Sequence, residues 1–107
     1  MNFEEIEITE SKYQVATYAK MNIAVERGRG AWIWTSEGAK YLDLYGGHAV
    51  CATGHSHPHV VKAIAEQAEK VLFYSNLVFS TVRAKAAAKL AEIAPNPLEK
   101  VFFCNSG

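Results

Sequence analysis

Near its end the chain carries Val101, Phe102, Phe103 and Cys104 in unbroken succession, followed by Asn105, Ser106 and Gly107. A strand with one wet face alternates apolar and polar residues. A run that is apolar at every position suits a strand buried on both faces, inside a sheet covered by helices. The polar Ser-Gly pair after it predicts the start of a turn. Few other segments of the 107 residues read as neighbours for such a strand. The sequence therefore reads as mixed α/β, and as the opening of a larger α/β protein.

The remaining pattern fits that class. Residues 1–12 read as a polar, loose or weakly helical arm, which "SKYQVATYAKM" extends with poor apolar spacing. Two strand-like runs follow, "IAVERGRGAWIW" and "AKYLDLYGG". They flank a turn in which Gly38 supplies a positive φ, a hairpin with a longer loop. Strand alternation puts Trp32 and Trp34 on one face and Ile33 on the other. "GGHAVCATGHSHPHVV" reads as a glycine-bearing loop ending at a helix start. Pro58 suits the first helical position, with Ser56 or His57 at the cap. Val60, Val61, Ile64, Ala65, Ala68, Val71 and Leu72 recur at steps of three and four. They predict one apolar face on a helix of about fourteen residues. A second helix is expected from about Thr81 to Ile93, capped by Ser80 or Thr81 and stopped by Pro95 and Pro97. A final strand is expected over 100–104.

Formal charge balances at zero. That argues against a nucleic-acid partner, which calls for a basic excess, and against electrostatic membrane anchoring. No run of about 18 apolar residues is present to span a bilayer. The acidic start lacks the basic-then-apolar order of a secretory signal. Cys51 and Cys104 are far apart in sequence, as in a reduced, cytoplasmic protein.

Three motifs carry candidate chemistry. In "HSHPH", His55, His57 and His59 alternate near Cys51, and imidazole with thiolate is a zinc donor set. Pro58 starts a helix within the run and spoils the alternation. The competing reading is a capped loop with histidines hydrogen-bonded to backbone, and no metal. Cys104, at a strand end beside a polar turn, has the position of a nucleophile. No activating base accompanies it, and a buried strand cysteine is the plainer expectation. "NSG" after a strand is a candidate phosphate cradle. Gly permits close backbone approach, Ser adds a donor, and a following helix would offer free N–H groups.

From about Tyr18 to Gly107 the chain resembles the N-terminal part of the class III aminotransferases, nearest their acetylornithine/ornithine branch. The resemblance rests on several segments in order. "ERGRGAWIWTSEGAKYLDLYGGHAV" looks like the family's glycine-aromatic hairpin, including Gly30, Gly38, Tyr41, Leu42 and Asp43. "GHSHPHVVKAI" looks like its Gly-His-x-His-Pro helix entry at Gly54, His55, His57 and Pro58. "YSNLVFS" resembles its Ser-Asn segment at Ser75 and Asn76, and "KVFFCNSG" its strand and opening phosphate loop. Lys20, Asn22 and Thr35 stand where the family commonly shows Arg, Pro and Asp.

The resemblance implies the N-terminal fragment of a fold type I transferase. Residues 1–55 would form the arm and small-domain hairpin, and 56–107 the start of the large cofactor domain. It implies pyridoxal 5'-phosphate (PLP) as cofactor, with Ser106 and Gly107 as the first members of its phosphate cradle. Tyr18 and His48 would face the substrate, His48 where the family often shows an aliphatic residue or tyrosine. The implied activity is transfer of an amino group from acetylornithine or a similar ω-amine to 2-oxoglutarate by a homodimer. The lysine that bonds the cofactor, the aspartate that pairs with its ring nitrogen and the arginine for the substrate carboxylate are expected beyond Gly107. The fragment alone is expected to be inactive. The contrasting expectation is a small self-contained interaction or metal-binding module without catalysis.

Overall fold

The computed structural model describes residues 1–105. The chain divides into two units, Met1–Lys70 and Val71–Gly107.

The first unit opens with helix α1, Phe3–Tyr13. Asn2 Oδ1 accepts the Glu5 N–H at 2.9 Å, and Glu5 Oε2 accepts the Asn2 N–H at 3.0 Å. This reciprocal capping box satisfies two otherwise orphaned donors. Glu4 and Glu5 in the first turn and Lys12 in the last oppose the helix dipole favourably. The arm is thus a capped helix rather than loose, though none of its residues is buried. It does not continue through "SKYQVATYAKM": Gln14 is already extended, with φ −111° and ψ 144°. End chemistry places this helix; an apolar stripe does not.

Three antiparallel strands follow in sequential order: β1 Val25–Arg29, β2 Trp32–Thr35 and β3 Lys40–Leu42. The first expected run is therefore two strands, broken at Gly30, whose φ of 58° turns the chain. Gly38, at φ 82°, turns β2 into β3 as expected. Thr35 secures that turn. Its amide donates to Ala39 O at 2.9 Å, and its hydroxyl accepts the Ala39 N–H at 3.2 Å. The Thr35 hydroxyl thus supplies the turn with a side-chain acceptor. Arg27, Trp34 and Lys40 lie in one cross-strand row, and Gly28, Ile33 and Tyr41 in the next. As the alternation predicts, Trp32 and Trp34 share a face. Arg27 lies 4.2 Å from the Trp34 ring and Lys40 4.0 Å from the Trp32 ring, contacts worth about 0.5–1 kcal/mol each at exposed sites.

After a one-turn element, α2 (Gly46–Ala49), comes helix α3, Pro58–Ala68, with Pro58 in its first turn. It is 11 residues long, shorter than expected, so Val71 and Leu72 fall outside its apolar face. His57 occupies the cap position without a side-chain capping bond.

In the second unit, helix α4 spans Thr81–Ile93 as expected. Ser80 Oγ accepts the Arg83 N–H, and Ala94 is extended ahead of Pro95. The expected terminal strand is absent among the described residues: 101–104 pair with no strand. Phe102 is 86% exposed, and Cys104 is exposed rather than buried. The apolar run has the composition of a buried strand, but a strand exists only through its ladder partners, and none is present here.

Burial explains the rest. Among the described residues Thr35 alone is buried, and no hydrophobic side chain is. Two separately folded bodies of these sizes would expose about 7,000 Å² together by the scaling of surface with mass. The chain exposes 9854 Å². Caps, turns and strand pairing therefore define its elements, without the apolar burial that makes unfolding cooperative. The 107-residue chain studied alone should bind an apolar dye and lose its circular dichroism over a broad thermal range. A sharp transition without dye binding would show instead a self-contained domain.

Candidate functional site

The densest polar geometry lies where β3 ends. Leu42 closes the strand, and the Asp43 amide still donates to Ala31 O at 2.8 Å, so the Asp43 carboxylate is held at the sheet's edge. Its Oδ1 accepts the Tyr45 N–H at 3.0 Å and the Gly46 N–H at 2.9 Å. Its Oδ2 accepts the His55 Nε2–H at 2.6 Å. The two side chains are 11% and 22% exposed. Hydrogen bonding to His55 first, then the backbone amides of Gly46 and Tyr45, holds the Asp43 carboxyl below its ordinary value, with partial burial opposing.

His55 is fixed as firmly by its backbone. The Gly30 N–H donates to His55 O at 2.9 Å, and the His55 N–H donates to Gly30 O at 2.8 Å. A Cβ on Gly28 would sit 2.6 Å from His55 Cγ, and one on Gly54 would sit 3.0 Å from Gly30 Cα. Gly28 is thus required by close approach, and Gly54, with φ 83°, by its backbone conformation as well as by close approach.

Between Asp43 and His55 the chain makes a left-handed turn. Gly46 and Gly47 have φ 59°, His48 has φ 58° and Ala49 φ 62°. For residues with a side chain this conformation costs roughly 1–2 kcal/mol each, so His48 and Ala49 are strained. The turn is closed by Ala49 N–H to Tyr45 O at 3.1 Å and Cys51 N–H to Gly46 O at 3.0 Å. The Tyr45 hydroxyl lies 2.6 and 2.7 Å from the two ring nitrogens of His48, with the rings edge to face at 61°. It can donate to whichever nitrogen is unprotonated.

The candidate site residues are placed as follows. His48 sits in the strained turn, hydrogen-bonded to Tyr45. Tyr18, 83% exposed, lines a cavity of about 490 Å³ between α1 and residues 14–25, together with Lys20; His48 is not part of that lining. Lys20 there pairs with Glu10 and donates to Gln14 Oε1 at 3.0 Å. Ser106 and Gly107 lie outside the described residues. In the second unit, Ser75 Oγ accepts the Leu77 N–H at 3.1 Å, and Asn76 Oδ1 accepts from Arg83 at 2.7 Å. Arg83 also donates to Val78 O. His55 is turned to Asp43, and among the described residues no group of three or more His, Cys, Asp or Glu is disposed to hold a metal. Sequence reasoning passed over Tyr45 and the connecting role of Asp43. The available signal was Asp43 ahead of Gly46 and Gly47, since an Asp side chain caps amides two residues on.

A family model for class-III aminotransferases matches residues 13–107. An acetylornithine aminotransferase of Methanopyrus kandleri is 48% identical over 96 residues, 90% of this chain and 25% of that protein. The crystal structure of the acetylornithine aminotransferase of Elizabethkingia anophelis superposes with a TM-score of 0.83 at 29% identity. The match covers 87% of this chain and 24% of that one. A taurine:2-oxoglutarate aminotransferase of Bifidobacterium kashiwanohense, solved with PLP and glutamate, matches with a TM-score of 0.78 at 25% identity, over 88% and 22% of the two chains. The chain thus spans about a quarter of the length of the relatives it matches.

Because the Asp43 carboxyl is held below its ordinary value, its bonds to Tyr45 and Gly46 contribute fully above the unfolded value near 3.8. They are lost as pH falls through the lowered folded value. The amide proton shifts of Tyr45 and Gly46 should therefore hold steady down to about pH 4 and move only below it. A midpoint at or above the ordinary value would mean that the carboxylate does not accept these bonds.

Proposed function

The chain belongs to the class III aminotransferases, and from that premise we propose that it supplies the N-terminal portion of a PLP-dependent acetylornithine-type aminotransferase. The observation that carries the reading is the 48% identity to an acetylornithine aminotransferase across 90% of the chain. In this reading 1–55 provide the arm and small-domain hairpin, and 56–107 open the cofactor domain of a cytoplasmic homodimer. Amino donor and 2-oxoglutarate take turns at one site.

PLP would supply the electron sink for the amino transfer. Ser106 and Gly107 would donate a hydroxyl and a backbone N–H to its phosphate, the role glycine and serine suit after a strand. Tyr18 would close the entrance side of the substrate pocket. His48, an imidazole presented on a fixed turn, would face the donor's side chain. Its ring partner Tyr45 limits its rotation, so a donor would meet a pre-oriented polar group rather than the aliphatic surface common in the family.

The test is amino transfer by the gene product carrying these residues, assayed with acetylornithine, succinylornithine, ornithine and 4-aminobutyrate against 2-oxoglutarate. Acetylornithine should be the fastest donor, and the 107-residue chain alone should be inert. His48→Ile should raise or lower the donor KM by about threefold to tenfold, the range a single lost or gained hydrogen bond allows, with the KM for 2-oxoglutarate moving less. Failure of all four donors would remove the reading.

A further inference from the structure

The strained turn between Asp43 and His55 needs something to hold it. Gly46 and Gly47 enter the left-handed region freely, but His48 and Ala49 do not. An eleven-residue loop, 44–54, with two such residues would relax if its ends were free. Its ends are not free. At one end the Asp43 carboxylate caps Tyr45 and Gly46, the residues that lead into the turn. At the other, His55 is paired through both backbone groups to Gly30, and its ring lies against Gly28. The Nε2–H of His55 then reaches the free oxygen of the same carboxylate.

We propose that Asp43 and His55 are positioning residues: together they latch the loop 43–55 shut and so hold the left-handed turn that presents Tyr45 and His48. The chemistry is specific. One carboxylate oxygen serves the turn and the other serves the histidine, so neither contact competes with the other. A carboxylate is an acceptor only, which requires the proton on Nε2 of His55. Gly28 belongs to the latch because it leaves room for the His55 ring, and Gly30 because its backbone pairs with that of His55. The latch stands on this geometry; its bearing on amine recognition rests on the function proposed above.

Amide hydrogen exchange in the intact gene product carrying these residues tests it. His55→Ala should accelerate exchange at Tyr45, Gly46, Ala49 and Cys51 by about tenfold or more, while Ile33 and Thr35 in the sheet stay within about twofold. His55→Gln, whose amide nitrogen can donate where Nε2 does, should restore most of the protection. Asp43→Ala should match or exceed His55→Ala, and the double variant should add little to Asp43→Ala, because both act through one contact. Gly28→Ala provides a second route: it crowds the His55 ring while leaving both polar side chains in place, and should loosen the same amides. In the wild type, the Nε2 proton of His55 should give a protected, downfield resonance that Asp43→Ala removes. Unchanged exchange at 45–51, equal acceleration across the sheet, or no protected Nε2 proton would overturn the latch. None of these readouts uses an amine or a cofactor. Absent transamination with a protected loop would overturn only the proposed function.

Discussion

The contact between Asp43 and His55 joins two parts of the first unit that sequence separates by a glycine-rich loop. The sheet's last strand delivers the carboxylate; the approach to α3 delivers the imidazole. Without that contact the loop would be tethered at its far end only by the two backbone bonds between Gly30 and His55. With it, the position of α3's first turn, begun at Pro58, is tied to the hairpin through three residues of chain. Charge-assisted bonds of this kind are short and directional, which suits a place where no apolar packing is available to fix the geometry.

What the sequence disclosed follows from the range over which each signal acts. α4 was legible to the residue because its start and stop are local: a serine cap, an alanine-rich body and a proline after the end. The β2–β3 turn was legible for the same reason, through Gly38. The break at Gly30 was harder to read. Gly28 and Gly30 look alike in the sequence, yet one is needed for its dihedral angle and the other for the space under His55. That distinction depends on a residue 27 positions away. The left-handed turn was likewise hidden, since His48 and Ala49 carry no propensity for it. Their conformation is imposed by the closure of the loop around them.

The candidate site divides in the same way. His48 and Tyr18 were singled out from family resemblance, which supplies positions but not neighbours. The partnership of His48 with Tyr45 emerged only with the fold. Asp43 is one of several positions that carry the resemblance, and the three hydrogen bonds of its side chain set it apart from the others. Thr35 and Lys20, two positions at which the sequence differs from the pattern it resembles, each have local partners. Thr35 keeps an acceptor for the turn amide, and Lys20 is drawn to Glu10 and Gln14 beside the cavity that Tyr18 lines.

The terminal apolar run marks the limit of local reasoning. Val101 to Cys104 have the composition of a central strand, yet composition states only what environment a segment would stabilise, not whether that environment is present. Strand identity is a property of a pair, since each N–H and C=O must find its partner on another segment. Helix identity belongs to a single segment, which is why α1 and α4 form with exposed faces while 101–104 do not form a strand. The same asymmetry separates the two halves of the proposed function. The loop that would face the amine is set by contacts within residues 28–55. The proposed phosphate cradle would begin at a strand whose definition requires a sheet.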